Sequence, residues 1–153
     1  MIICGIDPGA SGAIVTLDNG VPVEWMHMPV LKDGKHSWVD GVELARFLSA
    51  PVPHTVRIEL VHSISGNGVA GMFSFGKMAG GVETAMGVLG LPWATVTPQE
   101  WKKKFGLIGM DKDASRALAI QRWPWWKDLQ KKAKGQALAD AAFIALSAMP
   151  PNA

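Results

Sequence analysis

The stretch Ile2-Ile3-Cys4-Gly5-Ile6-Asp7-Pro8-Gly9-Ala10-Ser11-Gly12-Ala13-Ile14-Val15-Thr16-Leu17-Asp18-Asn19-Gly20 decides the fold. Ile2 to Ile6 is a short β-branched run that stops at an acid. Asp7-Pro8-Gly9-Ala10-Ser11-Gly12 is turn chemistry, because proline presets φ and glycine permits positive φ. Gly12 to Leu17 is a second strand, and Asp18-Asn19-Gly20 is a hairpin signal. Val21 to Met28 completes a three-stranded antiparallel meander.

Working outward, Pro29 to Ser37 reads as a polar loop. Asp40 caps a helix whose Val42, Leu44, Ala45, Phe47 and Leu48 form one apolar face, and Pro51 and Pro53 end it. Thr55 to Leu60 is a further strand. Ser63 to Ala70 is a Gly-rich connection. Met72 to Leu89 reads as a helix rich in small residues, among them Gly76, Ala79, Gly80, Gly81, Ala85 and Gly87. Glycine inside a helix costs about 1 kcal/mol, so this density points to close packing against a sheet or a partner chain. Pro92 to Val96 is a strand, and Thr97-Pro98-Gln99-Glu100 opens a helix with a capping box and proline at its first position. Asp111 or Asp113 caps the next helix, which runs to Arg122 and halts at Pro124. Gln136 to Ala148 is the last helix. A meander followed by β-α alternation gives an α/β domain, a mixed sheet with helices on its faces.

At 153 residues and 48% hydrophobic content, the chain suits one domain spanning 1–153 with a substantial core. No apolar run approaches the roughly 18–20 residues of a membrane span, and the N-terminus lacks the basic flank of a secretory signal. Cys4 stands alone, which excludes an internal disulfide and a cysteine-based metal cage and fits a reducing, intracellular compartment. The net charge of +2 conceals a segregation. Residues 101–134 hold ten of the fifteen Lys and Arg and only three acids, a +7 segment against a −5 remainder. Those cations, interleaved with Trp101, Trp123, Trp125 and Trp126, are the footprint expected for a polyanion partner. The same run also reads as solvated helix faces.

Three acids sit in apolar company. Asp7 closes the first strand, Glu59 closes the strand from Thr55, and Asp140 lies between Ala139 and Ala141. Singly, Asp7 reads equally as an Asx-turn residue and Asp140 as a solvent-facing helix position. Together they are more specific. Converging carboxylates raise one another's pKa and destabilise a fold unless a cation compensates. Oxygen-only ligation points to a hard ion, Mg²⁺ or Mn²⁺.

On these residues the chain resembles the RuvC-like Holliday junction resolvases of the small bacteriophage type, within the ribonuclease H-like superfamily. Gly5-Ile6-Asp7-Pro8-Gly9-Ala10-Ser11-Gly12-Ala13 is similar to the first-strand motif, and Ile58-Glu59-Leu60-Val61-His62 to the motif carrying the second acid. Phe73-Ser74-Phe75-Gly76 through Gly80-Gly81 resembles the following helix. Val96-Thr97-Pro98-Gln99-Glu100-Trp101-Lys102 resembles the fifth strand entering its helix, and Asp140-Ala141-Ala142-Phe143-Ile144-Ala145 the acidic C-terminal helix. The match spans nearly the whole chain and implies a five-stranded mixed sheet flanked by helices.

The resemblance implies a Mg²⁺-dependent endodeoxyribonuclease, with Mn²⁺ able to substitute. It would cleave Holliday junctions, and other branched DNA by extension, leaving 5′-phosphate nicks. Two ions typically about 3.5–4 Å apart would be held by Asp7, Glu59 and Asp140, with Asp7 bridging. Lys132 and Lys134 would neutralise phosphate, and Lys102, Lys103, Lys104, Lys112, Arg116 and Lys131 would join them on the DNA backbone. Two symmetric cuts call for a two-fold homodimer, with the small-residue helix as its contact. No nucleotide cofactor and no membrane partner are implied, and a phage source would place the protein in the cytoplasm of its bacterial host. There are two departures from the family pattern. Gln136 and Ala137 stand where relatives often carry a further metal-binding or catalytic group, leaving Gln136 as an accessory ligand at most. His62 stands where bacterial members place an aromatic residue that contacts the junction. The first departure motivates an alternative, a branched-DNA-binding relative with weak or absent catalysis. An actin-like nucleotide-binding fold, suggested by Asp7-Pro8-Gly9, would need a second phosphate loop that the chain lacks.

Overall fold

The computed structural model describes residues 1–60 and 68–150. Strands β1 (Ile2–Ile6), β2 (Ala13–Asp18) and β3 (Val21–His27) form the expected antiparallel meander. Asn19 and Gly20 both take positive φ, 46° and 82°, as a two-residue hairpin turn requires. A small hairpin follows, β4 (Val30–Asp33) paired with β5 (His36–Val39), and then helix α1 (Gly41–Leu48), which Asp40 caps through the N–H groups of Val42 and Glu43. Next come β6 (Thr55–Glu59), α2 (Val69–Leu89), β7 (Trp93–Val96), α3 (Pro98–Lys104) and α4 (Ala114–Arg122). A short 3-10 helix, Lys127–Gln130, leads into α5 (Lys132–Leu146).

The main sheet has the order β3-β2-β1-β6-β7, with β1, β6 and β7 parallel. This is the five-stranded mixed sheet that the resemblance implied. One face packs on α3, α4 and α5 through Ile3, Val15, Leu17, Trp101, Trp126 and Phe143. The other face packs on α1, α2 and β5 through Ile6, Ile14, Leu44, Ile58, Val82 and Val39. No described helix is long and apolar enough to cross a membrane.

The structure corrects four local expectations. Pro29 to Ser37 is largely strand, closed by Gly34 at φ 56°, which the Asp33-Gly34 pair could have signalled. Helix α5 begins at Lys132, so Lys132 and Lys134 ride on its first turn instead of preceding it. Asp113 occupies the N-cap position of α4 without a capping hydrogen bond, because Arg116 engages its carboxylate. Of the two alternatives for the glycines of α2, a sheet or a partner chain, close packing on the sheet is not what the structure has. A Cβ at Gly71, Gly76, Gly80 or Gly87 would meet nothing, and only Gly81 approaches a neighbour, Val39. Part of the expected Gly-rich connection, together with His62, lies outside the described residues; Val69 and Ala70 belong to α2.

Candidate active site

Parallel pairing brings the first two acids level. Ile6 is in register with Ile58, so Asp7 and Glu59 leave the ends of neighbouring strands side by side, about 4.8 Å apart by the spacing of a sheet. The third acid arrives on α5, which lies against the same face. Gly5 makes that approach possible, since a Cβ there would overlap the backbone of Ala141 and Ala145. Gly12 is equally required, because a Cβ there would collide with the Asp7 carbonyl.

Each carboxylate is held through one oxygen by an uncharged donor. The Gly9 N–H donates to Asp7 Oδ1 at 3.1 Å. The sequence's Asx-turn reading of Asp7 is therefore fulfilled, and the same side chain still faces the other acids. The Trp101 indole donates to Glu59 Oε1 at 2.7 Å. Asp140 Oδ1 accepts from the Ser115 hydroxyl and, at 2.9 Å, from Gln136 Nε2. Among the described residues, Asp7 Oδ2, Glu59 Oε2 and Asp140 Oδ2 make no hydrogen bond.

All three acids are raised above the usual carboxylate range. Burial pushes Glu59 up to about 7, with the charges of Asp7 and Asp140 adding to it, while the Trp101 indole and Lys102 pull it down. Burial also raises Asp140 against the hydroxyl of Ser115 and the amide of Gln136, and Asp7 adds to the rise. Asp7 is raised by burial against the opposing Gly9 N–H. Glu59 thus lies within the field of both other acids, and Asp140 within that of Asp7. Among the described residues no set of three His, Cys, Asp or Glu side chains stands at the spacing of a formed metal cage.

The residues nevertheless fit a hard divalent cation: the donors are all oxygen, each acid has an unengaged oxygen, and the buried Gln136 Oε1 beside Asp140 has no hydrogen-bond partner. A cavity of about 250 Å³ opens there, lined by Lys102, Lys112, Ser115, Gln136 and Asp140 among others.

The basic residues divide. Lys102 and Lys112 border this cavity, and Lys103 projects from α3 into solvent. Lys104 donates to the Ser147 carbonyl at 3.0 Å and to that of Met149. It therefore caps the far end of α5, roughly 10 Å along the axis from Asp140 at about 1.5 Å per residue. Arg116 is also committed elsewhere, bidentate to Asp113 and donating to the Leu129 carbonyl at 3.1 Å, with only 16% of its side chain exposed. Both were expected on DNA, and both are tied into the fold. Lys131 pairs with Asp128 at 2.7 Å, while Lys132 and Lys134 are exposed. Ser115 escaped the sequence reading because its partners are 21 and 25 residues away and leave no local spacing signal. Trp101 was read only as part of the basic-aromatic run; it is a buried clamp on Glu59.

Two solved structures are similar in fold. That of Thermus thermophilus RuvC in complex with a Holliday junction substrate matches over 96% of this chain and 92% of that one, with a TM-score of 0.61 and 17% identity. Another Thermus thermophilus RuvC structure matches over the same shares, with a TM-score of 0.57 and 19% identity. No protein-family model matches the chain, and no curated protein matches it in sequence. The chain therefore has the RuvC-like, ribonuclease H-like fold expected from its motifs.

Proposed function

We propose that this protein is a structure-selective, metal-dependent endodeoxyribonuclease acting on four-way DNA junctions and related branched DNA. The reading is supported by Asp7 and Glu59 at the ends of neighbouring strands, with Asp140 on the helix packed over β1 and beside a cavity that Lys102 and Lys112 also line. A fold similar to that of a RuvC bound to a junction supports the substrate class.

Asp7, Glu59 and Asp140 would hold Mg²⁺ or Mn²⁺, with Asp7 central because it neighbours Glu59 along the sheet and faces α5. Divalent ions held by these residues would supply a water of lowered pKa and charge stabilisation for the leaving 3′-oxygen, chemistry that would leave a 5′-phosphate. The chain's own groups do the positioning. The Gly9 N–H, the Trp101 indole and the Ser115–Gln136 pair fix one oxygen of each acid and leave the other for the site. Lys102 and Lys112 hold the phosphate as point charges. Two cuts in one junction require two such sites. Helix α2 is our candidate for the contact of a two-fold homodimer, because it exposes Val69, Phe73 and Val88 beside uncovered glycines.

The test is side-by-side incubation of a mobile four-way junction, a fork and a linear duplex in Mg²⁺ and in Mn²⁺. The expected result is nicking of the branched substrates and loss of nicking by Asp7→Asn with junction binding retained. Parent-like nicking by Asp7→Asn would sink the reading. A second reading, branched-DNA binding with little catalysis, rests on Gln136 and Ala137 standing where relatives often carry a further metal-binding or catalytic group. Tight junction binding without cleavage in either metal would favour it.

A further inference from the structure

Trp125 is half exposed, whereas its neighbours Trp123 and Trp126 are only 3% and 2% exposed. The fold of the core does not account for it. Its ring lies 24° from parallel to that of Trp126, at a centroid separation of 6.4 Å, and 6.4 Å from Trp25. The platform beneath it is rigid. The Trp123 indole donates to the Gly20 carbonyl at 3.2 Å, and the Trp25 indole donates to Asp128 at 3.0 Å. Gly135 lets α5 press directly on the Leu129 backbone, where a Cβ would overlap.

A line of positive charge runs from this indole towards the carboxylates. Lys131 holds Asp128, the acid under Trp25. Lys131 and Lys134 both act on His27, whose pKa falls through burial first and the field of Lys134 next. His27 and Lys134 in turn line a concavity with Ser11 and Gly12, on the turn that follows Asp7. Lys131, Lys132 and Lys134 crowd the start of α5, which has no acid in its first turn and no side-chain cap. Cations there oppose the helix dipole. An arrangement that repels itself becomes favourable when an anion lies across it. Lys134 is six residues from Asp140, roughly 9 Å along the helix at about 1.5 Å per residue.

We propose that Trp125 and the Lys131–Lys134 strip form a second DNA contact, which takes an unpaired stretch of one strand as it leaves the cleavage site. The indole stacks on an exposed base and the ammonium groups hold the phosphates between it and Asp7. An aromatic face accepts any base but needs it unstacked from its partner, so the contact selects DNA opened at a branch over continuous duplex. This rests on the nuclease reading above and adds a preference for single-stranded character.

The experiment measures binding by the full-length Asp7→Asn protein, alone and with Trp125→Ala or Trp125→Phe. The probes are a labelled fork with unpaired arms, a labelled oligothymidine and a blunt duplex. Trp125→Ala is expected to weaken fork and oligothymidine binding at least about fivefold and duplex binding less than twofold, with Trp125→Phe recovering most of the loss. Unchanged fork binding, or equal loss on fork and duplex, overturns the strip while leaving the nuclease reading intact. Failure of Asp7→Asn to bind any of the probes, or four-way junctions, removes both.

Discussion

The Trp101 indole donates to Glu59 Oε1 from a fully buried position, and it opposes the effects of burial and of Asp7 on that acid. The net result is a carboxyl group that titrates at about 7 in the folded chain against 4.5 in its ordinary state. A group with a raised folded pKa binds more protons folded than unfolded across that interval. For an acid, its contribution therefore falls as pH rises from about 4.5 to 7, and the full penalty remains above both values. Asp7 and Asp140 are shifted in the same direction. In EDTA, the thermal midpoint should stand several degrees higher at pH 5 than at pH 8, and Glu59→Gln should flatten the difference. Surface acids cannot imitate this, because Asp113 and Asp128 are shifted downward by their cationic partners and act in the opposite sense. Mg²⁺ should restore stability at pH 8, where the carboxylates are ready to be neutralised. A midpoint that does not fall between pH 5 and 8 without metal would contradict this account.

Among the elements, α5 matters most for the site. Its distance from β1 is set by the missing side chain of Gly5. Gly5→Ala should cost about 1–3 kcal/mol, read as a lower urea midpoint, and should impair cleavage further by shifting Asp140 away from Asp7. Elements with strong local signals were legible in the sequence: the β1–β2–β3 meander with its Asn19-Gly20 turn, the Thr97–Glu100 capping box, and the acids at the strand ends. The β4–β5 hairpin was not, because half of its residues are polar and they show no clear alternation. The start of α5 was hidden by lysines where a helix normally carries a cap or an acid. The Ser115–Gln136–Asp140 network and the Trp101 clamp were illegible for another reason. They join positions far apart in the chain, which no local pattern reports.

For the whole molecule, charge and symmetry make separate predictions. Junction affinity should fall steeply with salt, and Lys103→Ala and Lys112→Ala should each reduce the slope of log affinity against log salt by about one. Lys104→Ala should lower stability and leave the slope alone, because its ammonium binds carbonyls at the end of α5. Phe73 is 71% exposed on α2, so, for the homodimer proposed above, Phe73→Asp should preserve the fold yet shift the protein to monomer in sedimentation. A monomer should nick one strand of a junction without making the paired second cut. An unchanged dimer would move the contact away from α2.

The dispersal of the three carboxylates along the chain also has a consequence in time. Asp140 is translated 81 residues after Glu59, an interval of roughly 4–16 s at about 5–20 residues per second. Until then Asp7 and Glu59 can pair through their strands, but the third wall of the site does not exist. If the protein cuts DNA as proposed, a ribosome-bound or prematurely terminated chain is harmless to the genome around it. The hazard begins only when the final helix seats on Gly5.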